Sequence, residues 1–351
     1  MSELICDRCG KEYKNLAQHK KTKKYQMEGG ASKISKTYKD KLSDDRPSKI
    51  INNIMIPMFY DNLTEKRKYQ SGYFKNKNNI KINSIHWGQR KLFLTELYFL
   101  SNYYDDSKDT VVIYAGSAPG THLNFFMKIY PKIIWELIDP REIKVKKTQN
   151  VNIHHQYFTD DFALLLKNKY IDKTVLFISD IRTSIDDTAI LRDLMMQKSW
   201  VEIMQPKFSM LKFKLPYELS HSMEYFNGVI LLQGWAPLAS TEARLIVSDA
   251  FKSKTYYTTD YEEKFFYHNT ITRQKSLLYN GFCGTWDYIY EIKIIEDHLF
   301  KSGQITKIDN LSHKDSLSNA KKILAFQQKI NNYNKNFKNN LVEKAGKVCI
   351  E

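Results

Sequence analysis

The sequence predicts an α/β protein built on a doubly wound, mainly parallel sheet, and three observations carry that expectation. Strand-like apolar runs alternate with helix-like ones from about residue 80 to 295, the pattern that crossovers between parallel strands impose. One run, Val111 to Tyr114, breaks into the turn Ala115-Gly116-Ser117-Ala118-Pro119-Gly120-Thr121-His122. The next, Trp135 to Ile138, closes on Asp139. A glycine-bracketed turn after one strand and an acid after another is how open α/β sheets frame a ligand.

In chain order, residues 1–26 form a first segment that opens Cys6-Asp-Arg-Cys9-Gly-Lys, with nine residues between Cys9 and His19. The spacing resembles the first three ligands of a C2H2 zinc finger with a shortened loop. Lys23, Lys24 and Tyr25 stand where the fourth ligand belongs. Cys6, Cys9 and His19 are thus candidate zinc ligands, and a degenerate finger without metal is the other reading. Residues 27–65 read as a basic arm that links rather than packs. From Lys11 to Lys49 twelve Lys or Arg stand against five acids, with Gly29-Gly30 and serines among them.

Residues 66–300 form the main domain, with strands expected at 111–115, 134–138, 174–179, 229–232 and 244–248 and helices at 88–104, 122–130 and 188–204. Val111 to Tyr114 is apolar and rich in β-branched residues, as a strand covered on both faces should be. Gly116 and Gly120 let the backbone after it approach a ligand closely. His122 to Tyr130 has helical apolar spacing, so the turn sits at a helix N-terminus with free N–H groups. An acid after the next strand suits a ribose, whose hydroxyls donate to a carboxylate, and Asp139 is the candidate. The turn is not Gly-x-Gly-x-x-Gly, so a dinucleotide is the weaker reading. The pair of features looks like the cofactor cradle of a methyltransferase. Residues 301–351 turn Lys- and Asn-rich, with apolar spacing for one more helix at Ala320 to Ile330.

The 351 residues carry 54 Lys and Arg against 39 Asp and Glu, a formal charge of +15, with a pI near 9.3. A chain that basic is usually matched to a polyanion. With 23 Tyr and 19 Phe, single-stranded nucleic acid fits best, since phosphates call for cations and unpaired bases for rings. A Lys- and Asn-rich genome is the other source of such a charge. No apolar stretch reaches bilayer length and no secretory leader is visible, so a soluble, intracellular protein without membrane partners is expected. Four cysteines make no disulfide framework, and Cys283 and Cys349 read as isolated thiols.

Methyl transfer to a hydroxyl needs a group that takes its proton while the methyl is held in line. Four polar residues stand where the core pattern predicts something apolar or small. Lys91 lies early in an apolar helix, Asp180 closes the strand Val175-Leu-Phe-Ile-Ser-Asp, Lys212 sits in Met-Leu-Lys-Phe, and Glu242 precedes Ala-Arg-Leu-Ile-Val. Each has an ordinary alternative: a helix-surface lysine, a helix N-cap, a strand-edge lysine, and a surface ion pair with Arg244.

Their order and contexts resemble one family. Gly-Gln-Arg-Lys-Leu-Phe-Leu-Thr-Glu-Leu-Tyr-Phe-Leu-Ser (88–101), Tyr-Ala-Gly-Ser-Ala-Pro-Gly-Thr-His (114–122), Leu-Ile-Asp-Pro-Arg (137–141), Ile-Ser-Asp-Ile-Arg (178–182), Ala-Pro-Leu-Ala-Ser-Thr-Glu-Ala-Arg-Leu (236–245) and Asp-Tyr-Glu-Glu-Lys (260–264) resemble the poxvirus-type cap-specific mRNA 2′-O-methyltransferase. That family also serves as the small, processivity subunit of the viral poly(A) polymerase. The resemblance covers about half the chain, from Gly88 to about Asn269, and sharpens the fold to a Rossmann-like S-adenosylmethionine-dependent methyltransferase with helices on both faces of the sheet.

The resemblance further implies a catalytic tetrad of Lys91, Asp180, Lys212 and Glu242, with Lys212 as the base, the two acids orienting it, and Lys91 as the cation that keeps its pKa low. It implies S-adenosylmethionine along Gly116, Ser117, Ala118, Pro119, Gly120 and His122, ribose on Asp139, and Arg141, Phe158 and Thr159 bordering the adenosine. An N7-methylguanine cap is cationic and suits stacked rings with carboxylates. The implied cap and RNA residues are Tyr217, where the family has phenylalanine, Glu262, Tyr69 or Tyr73 for the second ring, Glu218 near the position of a second acid, and Arg182. The implied partners are capped mRNA and a poly(A) polymerase catalytic subunit, and the implied setting is the cytoplasm, in a virus factory or a virion, of a large DNA virus. A non-catalytic RNA clamp for a polymerase, and a heat-shock-type methyltransferase that acts on another RNA, are the competing readings.

Overall fold

The computed structural model describes residues 56–75, 87–306, 313–333 and 345–349, together with the backbone of three short strands, β1 (Leu4–Ile5), β2 (Glu12–Tyr13) and β3 (Ile51–Asn52). The candidate zinc ligands Cys6, Cys9 and His19 lie outside the described residues.

The centre is a seven-stranded sheet of β4 (Thr110–Ala115), β5 (Ile134–Ile138), β6 (Val151–His154), β7 (Thr174–Ser179), β8 (Phe208–Phe213), β10 (Val229–Leu231) and β11 (Ala243–Val247), ordered β10-β11-β8-β7-β4-β5-β6. The five strands from β8 to β6 run parallel, while β11 and β10 are antiparallel at one edge. The mainly parallel expectation therefore holds. Val111, Val112 and Ile113 have no exposure, which is why these strands read as continuous apolar runs rather than alternating ones.

Helices α1 (Gly88–Tyr103), α2 (Leu123–Ile129), α3 (Asp160–Lys169), α4 (Asp187–Met204), α5 (Thr258–Thr270), α6 (Trp286–Lys301) and α7 (His313–Tyr333) surround the sheet. Strand parity shows that both faces are covered. Ile113, Glu136 and Phe177 are in register; Phe177 packs on Trp200 of α4 and Glu136 bonds Lys169 of α3. One residue along, Tyr114 points the other way and donates to Glu96 of α1. α3 and α4 start at side-chain caps: Thr159 Oγ1 accepts from Phe162 N–H at 3.2 Å and Asp186 Oδ1 from Ala189 N–H at 2.9 Å.

The flanking regions contribute more than composition suggested. The expected arm 27–65 is packed from Ile56 onward: Ile56, Met58, Tyr60 and Leu63 are core residues, and Leu232 N–H donates to the Met58 carbonyl at 2.9 Å. The expected helix at 320–330 runs from His313 to Tyr333 and buries Ala320, Ile323, Phe326 and Ile330. Strands β9 (Ser222–Phe226) and β12 (Ser253–Tyr257) pair with each other, and β13 (Ser276–Tyr279), β14 (Phe282–Thr285) and β15 (Gly346–Val348) form a second sheet with β3.

That second sheet corrects the reading of Cys283 and Cys349, which are joined by a disulfide. Antiparallel pairing sets Cys283 beside Lys347, and Cys349 N–H donates to the Gly281 carbonyl, so residues 66 apart in sequence meet. Among the described residues no helix is long and apolar enough to cross a membrane.

Candidate active site

Strand register assembles the centre. Ser179 of β7 lies beside Leu211 of β8, and Lys212 beside Arg244 of β11. Asp180, Lys212 and Arg244 therefore form a row across the sheet at the carboxyl end of its parallel strands. Lys212 Nζ is 3.0 Å from Asp180 Oδ1 and 3.5 Å from Glu242 Oε2. Lys91, in the first turn of α1, donates to Glu242 Oε1 at 2.6 Å. The structure thus joins all four candidates in one chain, Lys91 to Glu242 to Lys212 to Asp180. The four side chains keep 12%, 15%, 10% and 16% exposure in that order, enough to meet a substrate while most of their charge is withdrawn from water.

Three residues that the sequence reading passed over hold this chain in place. Arg244 is not the surface partner of Glu242; it is buried, and its Nη2 donates to Asp180 Oδ1 at 2.6 Å. A charge inside the apolar strand Ala243–Val247 was the signal that could have found it. Gln233 accepts from Arg244 Nε at 3.2 Å and donates to the Glu242 carbonyl at 2.9 Å. Gln197 of α4 bonds both the N–H and the carbonyl of Lys212 at 3.1 Å, a polar residue on a helix face otherwise committed to the core.

The electrostatics follow from three cations among two acids. Burial would raise the Asp180 carboxyl, but Arg244 and Lys212 outweigh it and bring it down to about 2. Burial likewise opposes ionisation of Glu242, yet Lys212, Lys91 and Arg244 hold it well below the usual carboxylate range. Both acids are therefore anions. Burial pushes the Lys91 ammonium down, against the pull of Glu242, and Lys212 and Arg244 add to the fall.

The glycine turn abuts this row. Gly116 has φ +82°, and a Cβ on it would lie 2.9 Å from the Asp180 carbonyl carbon. Gly120 has φ +60° and would meet the Ser117 carbonyl at 2.7 Å. Ser117 Oγ is buried and finds no hydrogen-bond partner among the described residues, so the cradle holds an unsatisfied polar atom. The Ala118–Pro119 peptide is cis. Asp139 accepts from Ala118 N–H at 3.1 Å and from Arg141 Nη2 at 2.9 Å. Burial would raise its carboxyl, but those bonds hold it below the usual range.

Other candidates are committed elsewhere. The ring nitrogens of His122 lie 2.9 Å from Gln89 Oε1 and 2.7 Å from Glu96 Oε2, so this buried residue ties the turn to α1. The Phe158 ring packs between Phe177 and Trp200 and belongs to the core. Thr159 spends its hydroxyl on capping α3. Arg182 is 3.3 Å from Asp193.

The candidate cap residue Tyr217 stands beside the segment that carries Glu242. Tyr217 donates to Thr241 Oγ1 at 2.6 Å, and Lys214 Nζ is 5.7 Å from its ring centroid. Burial raises the Tyr217 phenol, and Glu262, Asp187 and Tyr69 are near enough to raise it further. Tyr69, exposed to 45%, packs edge-on against Phe266 with ring centroids 5.3 Å apart. Tyr73 packs on Phe266 with Arg67 over its face. Burial raises the Glu262 carboxyl, with Glu263 adding to it. Glu218 has an exposed side chain, and its N–H donates to Asp187. Among the described residues no three His, Cys, Asp or Glu are grouped to hold a metal ion.

Comparison with known proteins gives this geometry a lineage. The chain is 31% identical over 268 residues to the cap-specific mRNA (nucleoside-2′-O-)-methyltransferase of fowlpox virus, covering 68% of this chain and 84% of that one. It is 26% identical over 295 residues to the enzyme of the same name from myxoma virus, covering 78% and 83%. The bluetongue virus VP4 structure, described as a multifunctional RNA-capping production line, aligns with a TM-score of 0.40 and 15% identity, over 65% of this chain and 37% of that one. The fold assignment rests on the sheet order itself. The family model for the poly A polymerase regulatory subunit matches residues 55–338, a span that holds the row, the glycine turn and the candidate cap residues, and this chain belongs to that family.

Proposed function

We propose that this protein is a cap-specific mRNA 2′-O-methyltransferase that converts cap 0 to cap 1 on the first transcribed nucleotide, with S-adenosylmethionine as donor. The carrying observation is the placement of Lys212 between two ionised carboxylates, at the strand ends against which the glycine turn is pressed. When bound, S-adenosylmethionine supplies a methyl group activated on a sulfonium. The chain's own residues do the rest.

Lys212 Nζ accepts the ribose hydroxyl proton in its neutral amine form, after giving up its own proton, and Asp180 and Glu242 aim it from two sides. Lys91 and Arg244 balance the acids, so that the centre does not gather net negative charge around the lysine. The buried Ser117 hydroxyl and the backbone from Gly116 to Gly120 would hold the donor, and Asp139 its ribose. There the exposed Arg141 side chain, rather than the Ala118 N–H, is the partner a ribose displaces, since it is 70% exposed. Tyr217 and Tyr69 would sandwich the cationic methylguanine, with Glu262 as its counter-charge. The remaining positive charge suits the RNA chain.

The family's description favours a second role, support of a poly(A) polymerase, which the same RNA surface could serve. The cytoplasm, in a virus factory or virion, is the setting we propose. Labelled S-adenosylmethionine, with RNAs ending in m7GpppG, GpppG or triphosphate, tests the reading. Transfer confined to m7G-capped RNA and lost in Lys212→Ala is expected. Equal transfer to uncapped RNA would point to another RNA substrate, and RNA binding without transfer to a clamp.

A further inference from the structure

Lys91 and Glu242 sit on separate segments, and the contacts that fix their separation lie behind the row, in the connection from β10 to β11. Trp235, in that connection, has φ 62°, a backbone region that a bulky side chain occupies only when its surroundings force it there. Its N–H donates to Asp287 Oδ1 at 3.0 Å and its indole N–H to Glu291 Oε2 at 2.8 Å, both on α6. Its carbonyl accepts Trp87 N–H at 3.0 Å, and Lys91 N–H in turn donates to the Trp87 carbonyl at 2.8 Å. The start of the helix that carries Lys91 is thereby hung on Trp235.

The next residue is held by the partner of Asp287. Arg273 Nη2 donates to the Ala236 carbonyl at 2.8 Å and to the two Asp287 oxygens at 2.8 and 3.0 Å. Arg273 and Asp287 are 2% and 1% exposed. Gln233 closes the far end by donating to the Glu242 carbonyl. A buried ion pair is seldom more stabilising than apolar residues of the same volume, because desolvating two charges offsets their attraction. Stability therefore gives a weak reason for this pair. Directional bonds to the backbone of two consecutive residues give a stronger one.

We propose that the Arg273–Asp287 pair is a positioning clamp: by holding Trp235 left-handed and Ala236 beside it, the pair sets the loop that ends in Glu242 against the helix start that carries Lys91. Neither residue of the pair belongs to the row itself. Asp287 acts through Trp235 and Arg273 through Ala236, and the inference rests on the methyl-transfer reading above.

The test compares the full-length protein with Arg273→Met/Asp287→Leu, which keeps apolar volume and removes both charges, and with Asp287→Asn, which keeps an acceptor for Trp235. Rates on m7GpppG-ended RNA, thermal unfolding and an NMR titration of the 15N-labelled Lys91 ammonium are recorded. In the folded double variant kcat should fall about 100-fold, as a displacement of about 1 Å does, with KM for RNA within about twofold of wild type. Asp287→Asn should fall less, and in both the Lys91 titration should move. Folded variants with wild-type kcat and an unmoved titration would overturn the clamp, as would a rate lost only in proportion to unfolded protein. Should the double variant fail to fold, Asp287→Asn is read by the same criteria. A wild-type protein inactive on capped RNA would sink the methyl-transfer reading instead, and the Lys91 titration, which needs no substrate, still decides the clamp.

Discussion

Two clusters of buried acid occupy the same sheet, and they differ in what surrounds them. Glu136, midway along β5, has no side-chain exposure and is bonded by Lys169 at 2.6 Å, His154 at 2.5 Å, Asn152 at 3.1 Å and the Tyr170 hydroxyl. Burial would raise it, yet those donors hold it below the usual range, much as Arg244 and Lys212 hold Asp180. By charge environment alone the clusters look alike. Glu136, however, sits in mid-strand with its oxygens taken by four side chains, whereas Asp180 and Glu242 share Lys212 at the strand ends, beside a glycine turn whose Ser117 Oγ has no partner among the described residues. A perturbed carboxylate marks a candidate; the open cradle beside it distinguishes the reactive cluster from the structural one.

The largest effect should separate the two by kind. Lys212→Met, which keeps the side chain's length and apolar stem, should lower kcat by about a thousandfold or more, within the range of losing a general base together with its electrostatic role. Thermal unfolding should move little, because two acids remain compensated by Lys91 and Arg244. Glu136→Ala should do the reverse, destabilising the fold by about 3 kcal/mol through orphaned donors while kcat per folded molecule stays near wild type. Calorimetry and single-turnover rates on the two variants check both, and a Glu136 variant that stays stable but loses kcat would erase the distinction.

How much of this was legible in the sequence depends on whether a residue's role is local. Asp180 and Lys212 stood out because a charge at the end of, or inside, an apolar strand is visible without knowing the neighbours. The glycine turn was visible for the same reason. Arg244 showed in the sequence only as an alternative surface partner of Glu242, because only the antiparallel register of β8 and β11 sets it beside Lys212 and turns it inward. The partners of His122 were hidden because nothing in the turn reveals that Glu96 and Gln89, a helix away, bind both its nitrogens. The Cys283–Cys349 bond depends on the pairing of β14 with β15, which α6 and α7 separate in sequence. Parallel sheets leave a strong local pattern, whereas the partners of polar groups are set by tertiary register, which the pattern does not encode.

Acid pH should expose the likeness of the two clusters. Asp180 has a folded pKa of about 2 against an ordinary value of 3.8. A depressed folded pKa contributes stability above the unfolded value that is lost as pH falls toward the folded one. The loss is about 2 kcal/mol between roughly pH 4 and pH 2. Asp180→Asn should flatten the stability profile in that window, and Glu136→Ala should flatten it in the same direction, since its folded carboxyl is also depressed. Chemical denaturation at stepped pH measures the slopes. An Asp180 variant with the wild-type slope would mean that Arg244 and Lys212 do not hold the anion as the geometry requires.

The smallest effect belongs to an acid that fits neither class. Glu262 is raised rather than depressed: burial acts first, Glu263 and Asp187 add to it, and Lys214 only partly opposes them. Unlike Glu136 and Asp180, its charge is answered only in part among the described residues, by Lys214, a condition that a cationic base beside Tyr217 would relieve. Replacing the ring by Tyr217→Leu should therefore cost selectivity more than rate. Preference for m7GpppG-ended over GpppG-ended RNA should fall about tenfold, or about 1.4 kcal/mol, within the range of a partly desolvated cation–π contact. Because Tyr217 also bonds Thr241, next to Glu242, Tyr217→Phe is the control: it keeps the ring and loses only the hydroxyl, so selectivity should survive in it while kcat shifts slightly. If the leucine and phenylalanine variants lose selectivity equally, the hydroxyl rather than the ring face reads the cap, and Glu262 awaits some other cation.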